Sequence, residues 1–223
     1  MPGRLSDHVI WHQSSSMNHE IIWRHDAEAR AHRLPAAWLV DTGACPANLT
    51  ERSALRRRIG REISATQLGQ RLDCVEISHD TVGRPLLVST GDGQIHISLA
   101  TRGGIVAVAL AHHAVGIDVE QVEPGSHLPL GLLHPAEQAA LAAVSNLEQA
   151  LLFARIWTLK EAWLKALGTG FARELSSFAI AIGADGTVQI DDPDNQKQRP
   201  PLASTTCKEK GGRLFAAALI VLR

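Results

Sequence analysis

Two short stretches constrain this chain more than anything else in it: VGIDVE at 115–120 and WTLKEAWLKALGTGF at 157–171. In the second, Leu159, Ala162, Trp163 and Ala166 recur at helical spacing, so an amphipathic helix is predicted, ending at Gly168 and Gly170. Lys160 and Glu161 are neighbours, and Lys165 lies four residues beyond Glu161 on the same face. The first stretch alternates. Val115, Ile117 and Val119 point one way, Gly116, Asp118 and Glu120 the other, as on a strand. At roughly 3.3 Å per residue, the Asp118 and Glu120 carboxylates then stand about 7 Å apart on one face. Strand acids, a helix acid and a helix lysine suit a hard cation and a phosphate. Mg²⁺ takes oxygen ligands, keeps several waters and is usually held by one or two carboxylates plus substrate phosphates. Asp118, Glu120 and Glu161 would supply those oxygens. No His or Cys lies in VGIDVE or WTLKEAWLK, which argues against zinc. The plain alternative is a solvated strand face and an ordinary surface Glu161–Lys165 pair.

Gly116-Ile117-Asp118-Val119-Glu120, followed about forty residues later by Trp157-Thr158-Leu159-Lys160-Glu161-Ala162-Trp163-Leu164-Lys165, resembles the signature of the 4′-phosphopantetheinyl transferases. The resemblance is to the larger, two-lobed type that activates peptide synthetases, polyketide synthases and fatty-acid carriers. It covers roughly residues 50 to 220. It implies an α+β fold of two similar lobes related by a pseudo-twofold axis, each a small antiparallel sheet with a long helix, and an active site at the lobe interface. The implied reaction moves the 4′-phosphopantetheine arm of coenzyme A onto a serine of an apo acyl or peptidyl carrier protein and releases adenosine 3′,5′-bisphosphate. Mg²⁺ would sit on Asp118, Glu120 and Glu161. Glu161 would take the serine proton, Lys165 would stabilise the leaving phosphate, and Lys160 would hold either the pyrophosphate or the Glu161 helix. Carried over residue by residue, the coenzyme A contacts are Arg52, Ser53, Arg84, Thr101, Asp118, Lys160 and Lys165. Thr101 is a departure: it stands where the family has a phosphate-binding histidine, and a hydroxyl there carries no charge. Two alternatives stay open, a relative that binds coenzyme A or carrier with weak or no transfer, and an unrelated magnesium phosphohydrolase.

The rest of the chain is read around that pair. A helix is expected over Thr50 to Ser64, capped by Thr50 and carrying Arg52, Arg56, Arg57, Arg58 and Arg61, a run that is either a solvated basic face or in part a phosphate contact. Val82-Gly83-Arg84-Pro85 resembles the family's Y-G-K-P loop, with Arg84 in place of lysine and a planar fork suited to phosphate. Strands are expected at Val75–His79, Ile95–Leu99, Ile105–Leu110, Phe178–Ile182, Thr187–Ile190 and Leu214–Leu222, with turns at Asp92-Gly93 and Asp185-Gly186. His19–Arg24 is a weaker strand candidate, and Leu34–Val40 is either strand or loop because Pro35 interrupts it. His96 is taken as structural or surface, and His112-His113 as a turn. Residues 1–20 are expected to be a loose tail and 191–204 a mobile polar loop. A helix and three strands recur in each half, which divides the chain into lobes at 1–113 and 114–223.

Composition removes other classes. A net charge of −1 gives no electrostatic case for nucleic acid. The apolar runs 105–111 and 214–222 are too short to span a bilayer, which needs about 20 residues. The three cysteines, Cys45, Cys74 and Cys207, have no metal spacing, and a reducing compartment is the simplest context. A cytoplasmic monomer that meets neither membrane nor nucleic acid is expected.

Overall fold

A computed structural model describes residues 21–88, 94–196 and 199–223. The expectations for residues 1–20 and for the Asp92-Gly93 turn lie outside these. Eleven strands and three α-helices follow one another as β1 (Ile22–Arg24), β2 (Ala36–Asp41), α1 (Leu49–Leu68), β3 (Glu76–His79), β4 (Pro85–Val88), β5 (His96–Arg102), β6 (Ile105–Ala111), β7 (Val115–Gln121), α2 (Pro135–Ala142), α3 (Asn146–Leu167), β8 (Ala179–Ile182), β9 (Val188–Asp191), β10 (Leu202–Lys210) and β11 (Arg213–Val221).

The same path is traced twice. In the first half β2 leads to α1, then to the β3–β4 hairpin, then to β5 and β6, and β6 lies between β2 and β5. In the second half β7 leads to α2 and α3, then to the β8–β9 hairpin, then to β10 and β11, and β11 lies between β7 and β10. Each repeat therefore closes its first strand on its last, antiparallel. The expected small antiparallel sheet holds for the second repeat. The first is a six-stranded sheet, β1-β2-β6-β5-β4-β3, and its outermost pair, β1 and β2, is parallel.

Side-chain alternation sets the layers. Along β6, Val106, Val108 and Leu110 pack under Leu55, Ile59 and Ile63 of α1. Ile105, Ala107, Ala109 and Ala111 face the other way, onto Val115, Ile117 and Val119 of β7 and Phe215, Ala217, Leu219 and Val221 of β11. Ala218 and Ile220 of β11 turn to Leu159, Ala162, Trp163 and Ala166 of α3. The order is thus helix, sheet, sheet, helix. The alanines on the inner faces let the sheets approach closely, and the wholly buried β6 has the apolar sequence that such a strand needs.

Helix ends follow local chemistry. α1 begins one residue earlier than predicted because Asn48, not Thr50, is the cap: its side-chain oxygen accepts from the Glu51 N–H at 2.9 Å. It runs on to Gly69, whose left-handed backbone closes it. α3 starts just after Ser145, where the Glu148 carboxylate accepts from the Ser145 N–H and hydroxyl. The signature stretch forms the second half of this 22-residue helix.

In the segment 191–204, expected to be a mobile polar loop, the described residues 191–196 and 199–204 are tied into the fold. Asp192 is 5% exposed and pairs with Arg173, and it accepts from Trp163 Nε1 at 2.7 Å and Asn195 Nδ2 at 2.8 Å. Burial alone would raise its pKa, but the Arg173 bond and the two other donors bring it down to about 2. Residues 202–204 already belong to β10. Among the described residues no helix is long and apolar enough to cross a membrane.

Candidate active site

Gly116 decides how closely strand and helix meet. A Cβ there would stand 1.9 Å from the Ala162 carbonyl oxygen and 2.7 Å from the Ala166 nitrogen. Only glycine lets the β7 backbone lie against that of α3. Two residues on, Asp118 faces the helix, and Lys165 Nζ donates to Asp118 Oδ1 at 2.7 Å and to the Ile117 carbonyl at 3.0 Å. Asp118 is 7% exposed, and its second oxygen, Oδ2, is buried without a hydrogen-bond partner. Glu120, next on the same strand face, pairs with Arg102 of β5, Nε to Oε2 at 3.1 Å.

The three acids feel one another. Burial, then the Asp118 charge, pushes Glu120 up to about 7, against the pull of Arg102 and Lys165. Burial and Asp118 raise Glu161 as well, against Lys165. Among the described residues, however, no three His, Cys, Asp or Glu side chains stand together as a ready metal shell. The donor set still fits a hard divalent cation in kind: oxygen ligands only, one buried carboxylate oxygen without a partner, and carboxylates whose mutual repulsion a cation would relieve.

A cleft of about 560 Å³ opens beside the acids, between the two repeats. Ser53, Arg56 and Arg57 of α1, Arg84 of the 82–85 turn, His96 of β5 and Lys165 of α3 line it, with Gly168 and Thr169 at the helix end. No carboxylate lines it among the described residues. Its fixed charges, Arg56, Arg57, Arg84 and Lys165, are therefore all positive and suit a polyanion, set among apolar side chains such as Ile77, Leu99 and Val115. Arg84 is steadied by Asp80, Nε to Oδ2 at 2.7 Å, while Asp80 Oδ1 accepts from the Arg84 and Val82 N–H groups. Its guanidinium lies against Gly168, where an added Cβ would come within 2.1 Å of it. On the far side of the acids, Glu120 and Arg102 line a smaller groove of about 270 Å³ with Leu128, Pro129, Phe153 and Trp157. The last two rings stack there at 5.6 Å.

The predicted residues divide. Asp118, Glu120, Glu161 and Lys165 form one electrostatic cluster, and Ser53 and Arg84 line the cleft beside it. Arg52 does not line the cleft. Thr101 does not either: its hydroxyl donates to the Ile105 carbonyl at 2.9 Å. Strand alternation puts Thr101 on the side of Ile97 and Leu99, which pack with α1, whereas His96, Ser98 and Arg102 face the second repeat. Asp118 reaches the cleft only through Lys165. Lys160 is corrected outright as a ligand contact. It is fully buried, 2.9 Å from Glu137 Oε1, bonded to the Leu175 and Phe178 carbonyls at 2.7 and 2.6 Å, and lies over the Phe178 ring. Of its two expected roles only the second, holding the helix, is open to it.

His79 and His96 are cleft residues that sequence reasoning missed, and Arg56 and Arg57 were named only within the basic run of α1, with Arg52 singled out in their place. For the arginines a signal existed: Ser53, Arg56 and Arg57 are spaced i, i+3, i+4 and share a helix face. His96 had none, because a strand histidine looks alike on either face. Burial, with the His113 and Arg84 charges, pulls its pKa down.

Residues 114–218 match the sequence profile of the 4′-phosphopantetheinyl transferase superfamily. The chain is similar to a 4′-phosphopantetheinyl transferase of Bacillus subtilis, 28% identical over 116 residues (52% of this chain and 51% of the relative). It is similar also to the 4′-phosphopantetheinyl transferase Sfp of Bacillus subtilis strain 168, 29% identical over 122 residues (54% of each). The transferase gsp of Aneurinibacillus migulanus is 30% identical over 99 residues, 44% of this chain and 40% of the relative. The chain thus spans about half the length of the curated relatives it matches. Among solved structures, a holo-(acyl-carrier-protein) synthase from Bacillus anthracis in complex with CoA overlays 49% of this chain and 94% of its own length, at 18% identity and a TM-score of 0.39. At that score the overlay carries no argument about ligand or activity.

Proposed function

The match of residues 114–218 to the 4′-phosphopantetheinyl transferase superfamily is the premise from which we propose that this protein transfers the 4′-phosphopantetheine arm of coenzyme A to a serine of an apo carrier protein. The observation that carries the reading is the position of Lys165. It lines the cationic cleft and at the same time bonds Asp118 at 2.7 Å, so it joins a polyanion site to an acidic centre.

In this reading coenzyme A lies in the cleft, its phosphates among Arg56, Arg57, Arg84 and Lys165, and the carrier serine approaches from the smaller groove beside Glu120 and Trp157. The serine oxygen attacks the phosphorus bearing the pantetheine arm, and the P–O bond to adenosine 3′,5′-bisphosphate breaks. Glu161 takes the serine proton. Burial raises its pKa, which makes it a stronger base than an exposed carboxylate. Lys165 steadies the charge on the departing phosphate. Asp118, Glu120 and Glu161 would hold Mg²⁺, which when bound supplies charge neutralisation at the pyrophosphate. Lys160 keeps α3 in register. The lobes divide at 113/114, and the protein works as a cytoplasmic monomer.

The test is direct. Purified protein is incubated with Mg²⁺, coenzyme A and a panel of apo acyl and peptidyl carriers, and the carriers are weighed by intact mass spectrometry. A gain of one phosphopantetheine arm is expected on at least one carrier, and no gain on any refutes the reading. Glu161→Gln should lower turnover roughly 10²–10⁴-fold while coenzyme A still binds.

A further inference from the structure

Arg102 belongs to the first repeat but reaches across to the second. From β5 its Nε lies 3.1 Å from Glu120 Oε2, and its Nη2 lies 3.9 Å from Glu123 Oε1. It is the residue beside Thr101, and the transfer reaction leaves it without a role. We propose that Arg102 is a built-in counter-cation to the candidate metal centre: it holds Glu120 while no ion is bound, competes with a divalent cation for that carboxylate, and so sets the affinity of the site. The proposal rests on the assignment of Asp118, Glu120 and Glu161 to a divalent ion.

Three observations support it. First, Glu120 and Asp118 each already hold a protein cation, Arg102 and Lys165 respectively, and the acids as they stand form no shared shell. An ion that takes Glu120 Oε2 must displace the guanidinium, and one that takes Oε1 must share the carboxylate with it. Second, Lys165 and Arg102 already share the space of the acids, Lys165 at 2.7 Å from Asp118 and Arg102 at 3.1 Å from Glu120. A divalent ion entering that space repels Arg102. Third, the guanidinium has another partner at hand in Glu123. Arg102 is 42% exposed, so it can swing without disturbing the core. Arg102 is therefore a positioning residue, acting on the site through Glu120.

The experiment uses the full chain without coenzyme A or carrier. Mn²⁺ alone is titrated and free ion is read by electron paramagnetic resonance, with Mg²⁺ as competitor. Arg102→Ala and Arg102→Gln should each tighten Mn²⁺ binding, roughly three- to tenfold for the loss of a half-exposed competing pair. Arg102→Lys should stay within about twofold of the parent. In a Glu120→Gln background Arg102→Ala should have no further effect. Arg58→Ala, which removes a remote exposed charge paired with Glu62, is the control for net charge. Unchanged or weaker binding in both Arg102→Ala and Arg102→Gln overturns the proposal, because Arg102 would then be inert or would aim Glu120 at the ion. An equal gain from Arg58→Ala also overturns it. If the folded parent takes up no Mn²⁺ at all, the metal assignment itself fails and this inference with it.

Discussion

Lys160 and Lys165 are five residues apart on one helix and have opposite fates. Five residues turn an α-helix by about 140°, so one ammonium enters the core beneath α3 while the other stays 33% exposed at the cleft. Lys160 is satisfied there by Glu137, two carbonyls and an aromatic face. Burial still pulls its pKa down, against the effect of Glu137. Removing one member of a buried pair strands the other. Lys160→Met should therefore destabilise the protein by about 3–5 kcal/mol in urea unfolding. Adding Glu137→Gln should recover part of the loss, because a neutral amide keeps an acceptor for the Ile180 N–H, which Glu137 Oε1 now takes at 2.7 Å. A fully stable Lys160→Met protein with weakened coenzyme A binding would instead return Lys160 to the ligand.

Among the elements, the contact of β7 with α3 governs the site. Asp118 and Lys165 meet because Gly116 removes the one Cβ that would hold strand and helix apart. Gly116→Ala must push the backbones apart by more than a side chain can absorb. A loss of about 3 kcal/mol or more is expected, read from the shift of the urea midpoint, together with loss of transfer activity as Lys165 parts from Asp118. Stability within about 0.5 kcal/mol of the parent would show that the close approach is not required. The elements were unevenly legible. VGIDVE alternates strictly and α3 has a clear apolar stripe, so both were readable. Strand β10 was hidden behind prolines at 200 and 201 and charged residues at 208–210. Its register is set by nine residues of β11, a partner that no local pattern identifies.

For the whole molecule, the cleft exists only because two repeats face each other. Arg56 and Arg57 come from the first, Lys165 and Gly168 from the second, and Arg84 touches the second from a loop of the first. A polyanion bound there should be held mainly by charge. Coenzyme A affinity, measured by calorimetry, should fall steeply as salt rises and the Debye length shrinks below about 8 Å. Arg56→Ala or Arg57→Ala should weaken it roughly tenfold, the scale of a lost charge-assisted hydrogen bond. Arg58→Ala should leave it within about twofold, since Arg58 turns to Glu62 on the exposed side of the helix. Equal losses at all three arginines would point to a diffuse field and not to a built cleft.

By itself the sequence determined the strand, the helix, the charged groups they carry and the repetition of a helix with strands, because periodicity and glycine placement are local properties of a chain. Tertiary structure alone decided which charges share a space. It turned Thr101 toward α1 and His96 toward the cleft, buried Lys160, and brought Arg102 across from one sheet to a carboxylate on the other. Those outcomes depend on how two sheets stack through their alanine faces, and no window of neighbouring residues contains that distance.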